Sequence, residues 1–264
     1  MNYRAIACAL IGASLATSAW AAKKPVKPEY RKFQKEMSAL KAAEAAAAPD
    51  TTGDPDSFGR NVKFIGLMSS GVINLASDCT PDPDFPLGPD DRCFVTNAAP
   101  ASTSFTATDV GRVVIPAKSA NSLFCHWQTP VVVYAFSNPT GTYQPNARIV
   151  VTPSYTIQNA VLNDPSLIDP ATGLPFGGSF TLGLAGIRHG RSLQPGETQI
   201  ERDTETRSCI GGLVSERALE GMGLSDAQAK NFFKNETIIT MNIQGTATLV
   251  DFASIIYGTR FVGD

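Results

Sequence analysis

Residues 237 to 250 read TIITMNIQGTATLV, and between Ile239 and Leu249 apolar residues or glycine alternate with polar residues. Successive side chains of a strand point to opposite faces, so a period of two gives one apolar face and one polar face. The same run is rich in β-branched residues, which favour strands. The segment therefore predicts a long strand that packs one face on a core, as in an antiparallel sheet.

The period of two recurs along the rest of the chain from Arg60 onward. Turn sequences rich in proline, glycine and asparagine separate the runs, for example SNPTG at 137–141, DPATG at 169–173 and QPGE at 194–197. The other predicted strands are 61–67, 71–76, 102–106, 111–115, 122–126, 131–136, 148–157, 179–187, 198–207 and 253–261. About ten short strands with little helix predict a mainly β fold, an antiparallel β-sandwich over residues 60–264.

Residues 213–235 interrupt this pattern with two signals for the start of a helix. Ser215 is a favoured cap residue and begins a short helix that we predict to run through Glu220. Ser225, followed three residues later by Gln228, is a capping box and predicts a second helix. We expect this small two-helix insertion to cover an open end of the sheets and to bury Leu219, Met222, Leu224, Phe232 and Phe233.

The first 21 residues have the pattern of a secretory signal peptide. A short start with one positive charge, Arg4, precedes a run without charged residues, and Ala19 and Ala21 are the small residues expected before a cleavage site. We predict cleavage after residue 21 and a periplasmic or extracellular location. The alternative is an uncleaved membrane anchor, although the segment is rich in Ala, Ser and Thr rather than Leu and Ile. No later stretch reaches 18 apolar residues, so we expect no membrane span in the mature chain.

Residues 22–48 differ from the rest of the chain in charge. They carry seven Lys and Arg against three Glu, a net of +4, whereas residues 49–264 carry 14 positive and 21 negative residues, a net of -7. Apolar residues at helical spacing predict a basic, Ala-rich helical tail with an apolar stripe of Tyr30, Phe33, Met37 and Leu40. Residues 49–59, rich in Pro, Gly and Asp, predict a linker.

Three roles are open for the helical tail 22–48. It is a solvated spacer, it docks on a partner or on its own domain, or it lies on an anionic membrane surface. Two heptads are too few for a coiled coil to be predicted. The tail is the element through which we expect a protein or envelope partner to bind.

Four cysteines follow the predicted cleavage site, and they are Cys79, Cys93, Cys125 and Cys209. An even number of cysteines in an exported protein predicts disulfides rather than free thiols or metal ligands. Of the three possible pairings, the one that joins Cys79 to Cys93 and leaves Cys125 for Cys209 closes the shortest loop. A loop of about 15 residues contributes roughly 3 kcal/mol in the chain-entropy model. The sequence alone does not decide the pairing.

The loop between Cys79 and Cys93 is the candidate metal site. It is rich in proline and holds the carboxylates Asp82, Asp84, Asp90 and Asp91. Calcium takes six to eight oxygen ligands, which an acidic, bent loop can supply. The spacing departs from that of an EF-hand, however, and the prolines limit how tightly the loop curls. The two hypotheses are a calcium site and an exposed acidic loop held by a disulfide; no other cofactor is predicted.

Histidines for catalysis are scarce, because the chain has only His126 and His189 and lacks a GxSxG elbow. Arg188-His189-Gly190-Arg191 resembles the RHG motif of the histidine phosphatases, in which the histidine accepts the phosphoryl group and arginines hold it. That family has the motif on the first strand of an α/β fold and a second histidine late in the chain. No histidine follows His189 here, so we interpret it as a loop residue flanked by two arginines.

A row of acids on one predicted strand is the remaining support for an enzyme. Glu201, Asp203 and Glu205 share one face at a period of two, and Glu197 is close in sequence. Paired carboxylates serve as acid and base in glycoside hydrolases. Acids that alternate with an arginine such as Arg202 are usually a solvated face, however. We therefore predict no catalytic residue.

Charge and composition restrict the function further. A formal net charge of -2 argues against nucleic-acid binding over the whole chain, which requires a concentrated basic surface. We predict an exported, disulfide-bonded β-sandwich that acts by binding, or as an assembly component, in the cell envelope or the extracellular space. The alternatives are a secreted hydrolase that uses dispersed carboxylates and a calcium-dependent adhesion module.

Overall fold

A computed structural model of the chain describes Lys35 and residues 63–81, 83–84, 86–204, 206–208 and 212–264. The chain divides into two compact units, Met1–Leu40 and Lys41–Asp264. In the first unit Lys35 alone is described, as an exposed residue in a helix. The predicted signal peptide, the linker and the rest of the helical tail lie outside the described residues, so these three remain predictions.

The described part of the second unit forms two β-sheets. The first sheet has eight strands: β1 (Lys63–Ser69), β2 (Ile73–Ala76), β3 (Arg92–Val95), β5 (Leu123–Ser137), β9 (Thr198–Asp203), β10 (Arg207–Ser208), β11 (Val214–Ser215) and β13 (Val250–Gly263). The second has five: β4 (Ser102–Ile115), β6 (Gln144–Asn159), β7 (Ser179–Gly183), β8 (Ile187–Leu193) and β12 (Thr237–Thr248). All pairs are antiparallel except β2 with β3. The predicted antiparallel β-sandwich is confirmed.

The last two strands occupy the centres of the two sheets. β13 pairs with β5 on one side and with β1 and β2 on the other. β12 lies between β4 and β6, and the far side of β6 pairs with β7 and β8. Leu249, at φ 57°, alone separates β12 from β13. The chain therefore passes from the middle of one sheet to the middle of the other in a single residue.

The core lies between the inner faces of the sheets. Along β12 the apolar residues of the predicted alternation are buried, among them Ile239, Met241 and Ile243. Along β6 every second residue from Ala147 to Asn159 is buried in the same way. Burial of each large apolar side chain stabilises the fold by about 1.5–3 kcal/mol, so the alternation fixes which face of each strand turns inward.

Two helices follow β11, as the capping signals predict. α1 (Glu216–Gly221) is capped by Ser215, and α2 (Asp226–Lys234) begins with the complete capping box of Ser225 and Gln228. Leu219, Leu224, Phe232 and Phe233 join the core, and Met222 packs against it partly buried. Neither of these described helices is long and apolar enough to cross a membrane.

The strand boundaries differ from the predicted ones where the backbone bulges or turns. Predicted strands 102–106 and 111–115 form one strand, β4, because Asp109 at φ 52° forms a bulge and pairing with β12 continues on both sides of it. β5 likewise unites two predicted strands. The predicted run 179–187 divides instead between β7 and β8, and β3 was missed because it lies at the end of the acidic loop.

Candidate functional site

Polar side chains fill the space between the sheets at the edge strands β8 and β9. Their alternation turns His189 and Arg191 of β8, and Glu201 and Asp203 of β9, to the inner faces. His189 Nε2 lies 2.7 Å from Asp203 Oδ2, and Arg191 Nη1 lies 2.6 Å from Glu201 Oε1. Tyr134 of β5 donates its hydroxyl hydrogen to Glu201 Oε2 at 2.8 Å. We name these five residues the inter-sheet cluster.

Tyr134 is the buried member of the inter-sheet cluster. Its ring stacks on the His189 imidazole with centroids 5.6 Å apart and an interplanar angle of 24°, and packs edge-on against Phe136. Burial raises the pKa of Tyr134, and the hydrogen bond to Glu201 and the negative charges of Glu201 and Asp203 raise it further. The phenol therefore remains a hydrogen-bond donor at neutral pH. The cluster holds the edge of one sheet against the edge of the other.

An open groove of 790 Å³ lies on the outer face of the second sheet at the same edge. Its floor is a row of cross-strand neighbours, Ser102 on β4, Thr248 on β12, Arg148 on β6 and Gly190 on β8. We name it the arginine groove; it is lined by Ser102, Tyr143, Pro145, Asn146, Ala147, Arg148, Arg188, His189, Gly190, Arg191, Ser192 and Thr248.

A bulge at the start of β6 forms one wall of the arginine groove. The register of β6 against β8 shifts between Gln144 and Ala147, so Pro145 and Asn146 fall outside the regular pairing. Proline has no N–H to donate, and a bulge is a position that tolerates it. Tyr143 stands just before the bulge and leaves 52% of its surface exposed. The wall thus combines an exposed aromatic ring with a polar amide.

The floor of the groove is open because Gly190 has no side chain. A Cβ at this position would lie 3.3 Å from the Ala147 carbonyl oxygen and 3.7 Å from Arg148 Cβ. With glycine in place, the surface between Arg188 and Ser192 is free for a ligand that lies beside Arg148. A larger residue at position 190 would partly fill the groove.

The arginine and histidine side chains of the groove fall into two kinds. Arg191 and His189 are already paired with acids of the inter-sheet cluster. Arg148 and Arg188 are exposed, and within the described part of the chain neither has an ion-pair partner. They are diagonal neighbours, because Arg148 pairs with Gly190 two residues further along β8. Two unpaired guanidinium groups on neighbouring strands that line the same groove are suited to hold an anionic group.

The prediction of a solvated acidic face is wrong for Glu201 and Asp203. Exposed and partly buried residues alternate along β9. Glu201 and Asp203 belong to the partly buried residues and turn inward, whereas Ile200, which is 49% exposed, belongs to the exposed ones. His189 lies on strand β8, so its assignment to a loop is also wrong. Glu205 lies outside the described residues.

Glu197 stabilises a turn rather than a catalytic centre. Its carboxylate accepts hydrogen bonds from the Gln194 N–H at 2.7 Å and from the Gln199 amide. These two bonds lower the pKa of Glu197, the Gln194 bond more than the other. The Glu197 carboxylate therefore closes the QPGE turn between β8 and β9.

The acidic loop is held to the first sheet by Asp91. Asp91 Oδ1 accepts a hydrogen bond from the Val72 N–H, and Oδ2 accepts one from the Gly88 N–H, both at 2.7 Å. Asp84 and Asp90 are exposed, and Asp82 lies outside the described residues. Within the ranges that the structure describes, no group of three or more His, Cys, Asp or Glu is placed to hold a metal ion. The calcium site stays a prediction.

One of the two predicted disulfides is confirmed. Cys79 and Cys93 are bonded, with Cα atoms 5.7 Å apart, and the bond closes the acidic loop next to the parallel pair β2 and β3. Cys125 is buried in β5. Cys209 lies outside the described residues, so its pairing with Cys125 stays a prediction.

Sequence reasoning missed the arginine groove because its residues come together only through strand register. Arg148 and Gly190 are 42 positions apart in the sequence, and their pairing depends on the shift at the bulge of β6. The available signals were the two arginines on either side of His189 and Gly190, and Pro145, which lies two residues after Tyr143 at the start of a strand. Neither signal indicates which strands are neighbours.

Comparison with known proteins identifies no family. No protein-family model matches the chain, and no curated protein matches it. The VP2 subviral particle of infectious bursal disease virus aligns at 11% identity and a TM-score of 0.21, over 64% of this chain and 28% of that chain. The heated full particle of Israeli acute paralysis virus aligns at 12% identity and a TM-score of 0.13, over 100% of this chain and 82% of that chain. Neither likeness carries an argument about fold or function.

Proposed function

We propose that the chain is an exported binding protein of the cell envelope or the extracellular space, and that the arginine groove receives an anionic group of its ligand. The observation that carries the proposal is the neighbouring pair Arg148 and Arg188, exposed and without an acid partner among the described residues. Guanidinium groups bind carboxylate, sulfate and phosphate oxygens through charge-assisted hydrogen bonds.

The size and support of the groove favour the same function. Its volume of 790 Å³ lies within the range of about 300–1,000 Å³ that is typical of small-molecule sites. On the inner face of β8, His189 and Arg191 contact the acids of β9. The strand that carries Arg188 is therefore held in place before a ligand binds. A preorganised site loses less conformational entropy on binding.

The binding test uses tripolyphosphate as the anionic probe on the ¹⁵N-labelled mature chain, residues 22–264. We expect amide shifts that saturate with the probe and cluster at Arg148, Gly190 and Ser192. The double variant Arg148→Ala and Arg188→Ala removes both unpaired cations and should abolish these shifts. Arg217→Ala, which removes an exposed arginine of α1 far from the groove in sequence, is the matched control and should bind as the unaltered chain does. Shifts that cluster elsewhere contradict the proposal.

Export is part of the proposal and has its own test. The signal-peptide pattern of residues 1–21 supports it, and so does the Cys79–Cys93 bond, because disulfides persist in oxidising compartments. Expression of the full chain in a bacterium, followed by fractionation and N-terminal sequencing, should give a periplasmic or extracellular product that begins at Ala22. A cytoplasmic product with its first 21 residues intact contradicts export.

The basic tail 22–48 is proposed as the element that binds a protein or envelope partner. The tail has a net charge of +4, whereas residues 49–264 have a net charge of -7. The positive charge of the tail supports electrostatic binding to an anionic partner. Cross-linking in the cell envelope should give the full chain one partner band on a gel that the chain lacking residues 22–48 does not give. Tripolyphosphate binding at the groove should be the same in both chains, because the groove residues are unchanged.

The hydrolase and the calcium-dependent adhesion module remain alternatives. The two carboxylates of the inter-sheet cluster already have partners. Tyr134 and Arg191 each contact one oxygen of Glu201, and His189 contacts Asp203 Oδ2. Cleavage of an added ligand, lost on substitution of Asp203 or Glu201, is the result that would favour a hydrolase. Ligand binding that requires added Ca²⁺ would favour the adhesion module.

A further inference from the structure

We infer that the ligand of the arginine groove is an acidic saccharide, a short sugar chain with carboxylate groups; this inference rests on the proposed function. Besides its arginines, the groove lining includes neutral side chains that both donate and accept hydrogen bonds. These are the hydroxyls of Ser102, Ser192 and Thr248 and the amide of Asn146. Sugar hydroxyls also donate and accept, so they match this lining better than acceptor-only groups do.

The hydroxyl groups of the floor are already ordered. Ser102 Oγ and Thr248 Oγ1 lie 2.7 Å apart and form a hydrogen bond across β4 and β12. Thr248 is in turn the cross-strand neighbour of Arg148. A saccharide carboxylate on Arg148 therefore places the neighbouring hydroxyls of the same sugar over a fixed pair of hydroxyl partners.

Tyr143 supplies the third feature of a saccharide site. It lines the groove, and half of its surface is exposed. A sugar ring has an apolar face formed by its C–H groups, which an exposed aromatic ring can cover, while the hydroxyls at the ring edge stay available for hydrogen bonds. An exposed ring, a pair of cations and a floor of hydroxyls occur together in this groove.

An acidic peptide or a nucleic-acid strand fits the lining less well. Binding of a phosphate backbone depends on many cations along a track, whereas the groove offers two that are not already paired. An acidic peptide has no hydroxyl-bearing ring that could pack on Tyr143 and form hydrogen bonds with Ser102 and Thr248. The ligand class with both carboxylates and hydroxyl-bearing rings is the acidic saccharide.

The test compares four short probes on the mature chain by isothermal titration calorimetry. They are trigalacturonate, neutral maltotriose, triglutamate and a thymidine trinucleotide. We expect trigalacturonate to bind about tenfold more tightly than each of the others, because it alone satisfies the cations, the hydroxyls and the ring. Tyr143→Ala should weaken trigalacturonate binding about fivefold or more, and Tyr143→Phe, which keeps the ring, should restore it.

The outcomes separate this inference from the proposed function. If triglutamate or the trinucleotide binds as tightly as trigalacturonate, or if Tyr143→Ala has no effect, the saccharide is excluded, while tripolyphosphate shifts at the groove still support anion binding. If tripolyphosphate gives no shifts at the groove either, the proposed function fails as well. Melting temperatures of the Tyr143 variants equal to that of the unaltered chain establish that a loss of binding is not a loss of folding.

Discussion

His189 Nε2 and Asp203 Oδ2 lie 2.7 Å apart and join the edge strand β8 of one sheet to the edge strand β9 of the other. Asp203 has 15% of its side chain exposed and His189 36%, so the contact is partly shielded from water. The pair stands directly behind the arginine groove, whose lining includes His189. Its loss should therefore affect both the stability of the sandwich and the shape of the groove.

Asp203→Ala should lower the free energy of unfolding by roughly 1–3 kcal/mol, because it leaves a partly buried imidazole without its hydrogen-bond partner. The measurement is urea unfolding of Asp203→Ala, His189→Ala and the double variant. A coupling energy of about 0.5–3 kcal/mol is expected from this cycle. The exposed Glu220→Gln of α1 is the control and should unfold as the unaltered chain does. Additive single effects would mean that the two side chains do not interact.

Asp264→Asn should destabilise the protein at neutral pH and not in acid. Asp264 Oδ1 accepts hydrogen bonds from the N–H groups of Asn121, Ser122 and Leu123, and Oδ2 accepts one from the Ser122 hydroxyl. Partial burial alone would raise the pKa of Asp264, but these hydrogen bonds outweigh it and lower the pKa below its ordinary value.

The lowered pKa of Asp264 sets the sign of the pH dependence. The ionised carboxylate stabilises the fold fully above the unfolded pKa of about 3.9, and this contribution disappears as the pH falls through the lowered pKa of the folded state. We expect a difference of roughly 1–2 kcal/mol between Asp264→Asn and the unaltered chain at pH 7, measured by urea unfolding. A difference that persists unchanged at pH 2 would contradict a role for the ionised carboxylate.

Removing the Cys79–Cys93 bond should lower stability by roughly 3 kcal/mol, because the unfolded chain regains the freedom of a loop of about 15 residues. The double variant Cys79→Ser and Cys93→Ser leaves the other cysteines intact and is measured by thermal unfolding. Thr80→Ser and Val95→Ala, two exposed changes beside the cysteines, are the controls. An unchanged melting temperature would mean that the loop is already ordered in the unfolded chain.

A disulfide between Cys125 and Cys209 should appear in a peptide map under non-reducing conditions. Cys125 lies in β5, and the described residues on both sides of Cys209 contact the same strand: Ser208 pairs with Trp127, and the Leu213 N–H donates to the Phe124 carbonyl. Mass spectrometry after digestion of the exported protein should give one linked peptide pair that dithiothreitol separates. Alkylation of Cys209 without reduction is the contrary result.

Asp91→Ala should lower the melting temperature whether or not calcium is present. Its carboxylate holds Val72 and Gly88 through their N–H groups, and loss of two such charge-assisted bonds costs about 1.5–3 kcal/mol. Thermal unfolding of the unaltered chain with excess Ca²⁺ and with a chelator tests the metal separately. Coincident curves exclude a stabilising calcium site in the loop, and a higher melting temperature with Ca²⁺ supports the site.

Local signals in the sequence predicted the parts of the fold that depend on local physics. The alternation at 237–250 and the capping box of Ser225 and Gln228 correspond to β12 and α2, because side-chain period and capping act within a few residues. The inward turn of Glu201 and Asp203 could not be predicted in this way. Which face of β9 is buried depends on the position of β8 in the other sheet, and no local pattern contains that information.

The central placement of β12 and β13 has a consequence for the order of folding. Residues 237–263 form the central strand of each sheet. β12 joins β4 to β6, and β13 joins β5 to β1, so neither pair of strands is connected until these residues are present. Nearly all of the sheet pairing is therefore between distant parts of the sequence, which slows folding. During synthesis from the N-terminus the chain lacks both sheet centres until residues 237–263 have been made, so the complete sandwich forms only after that point.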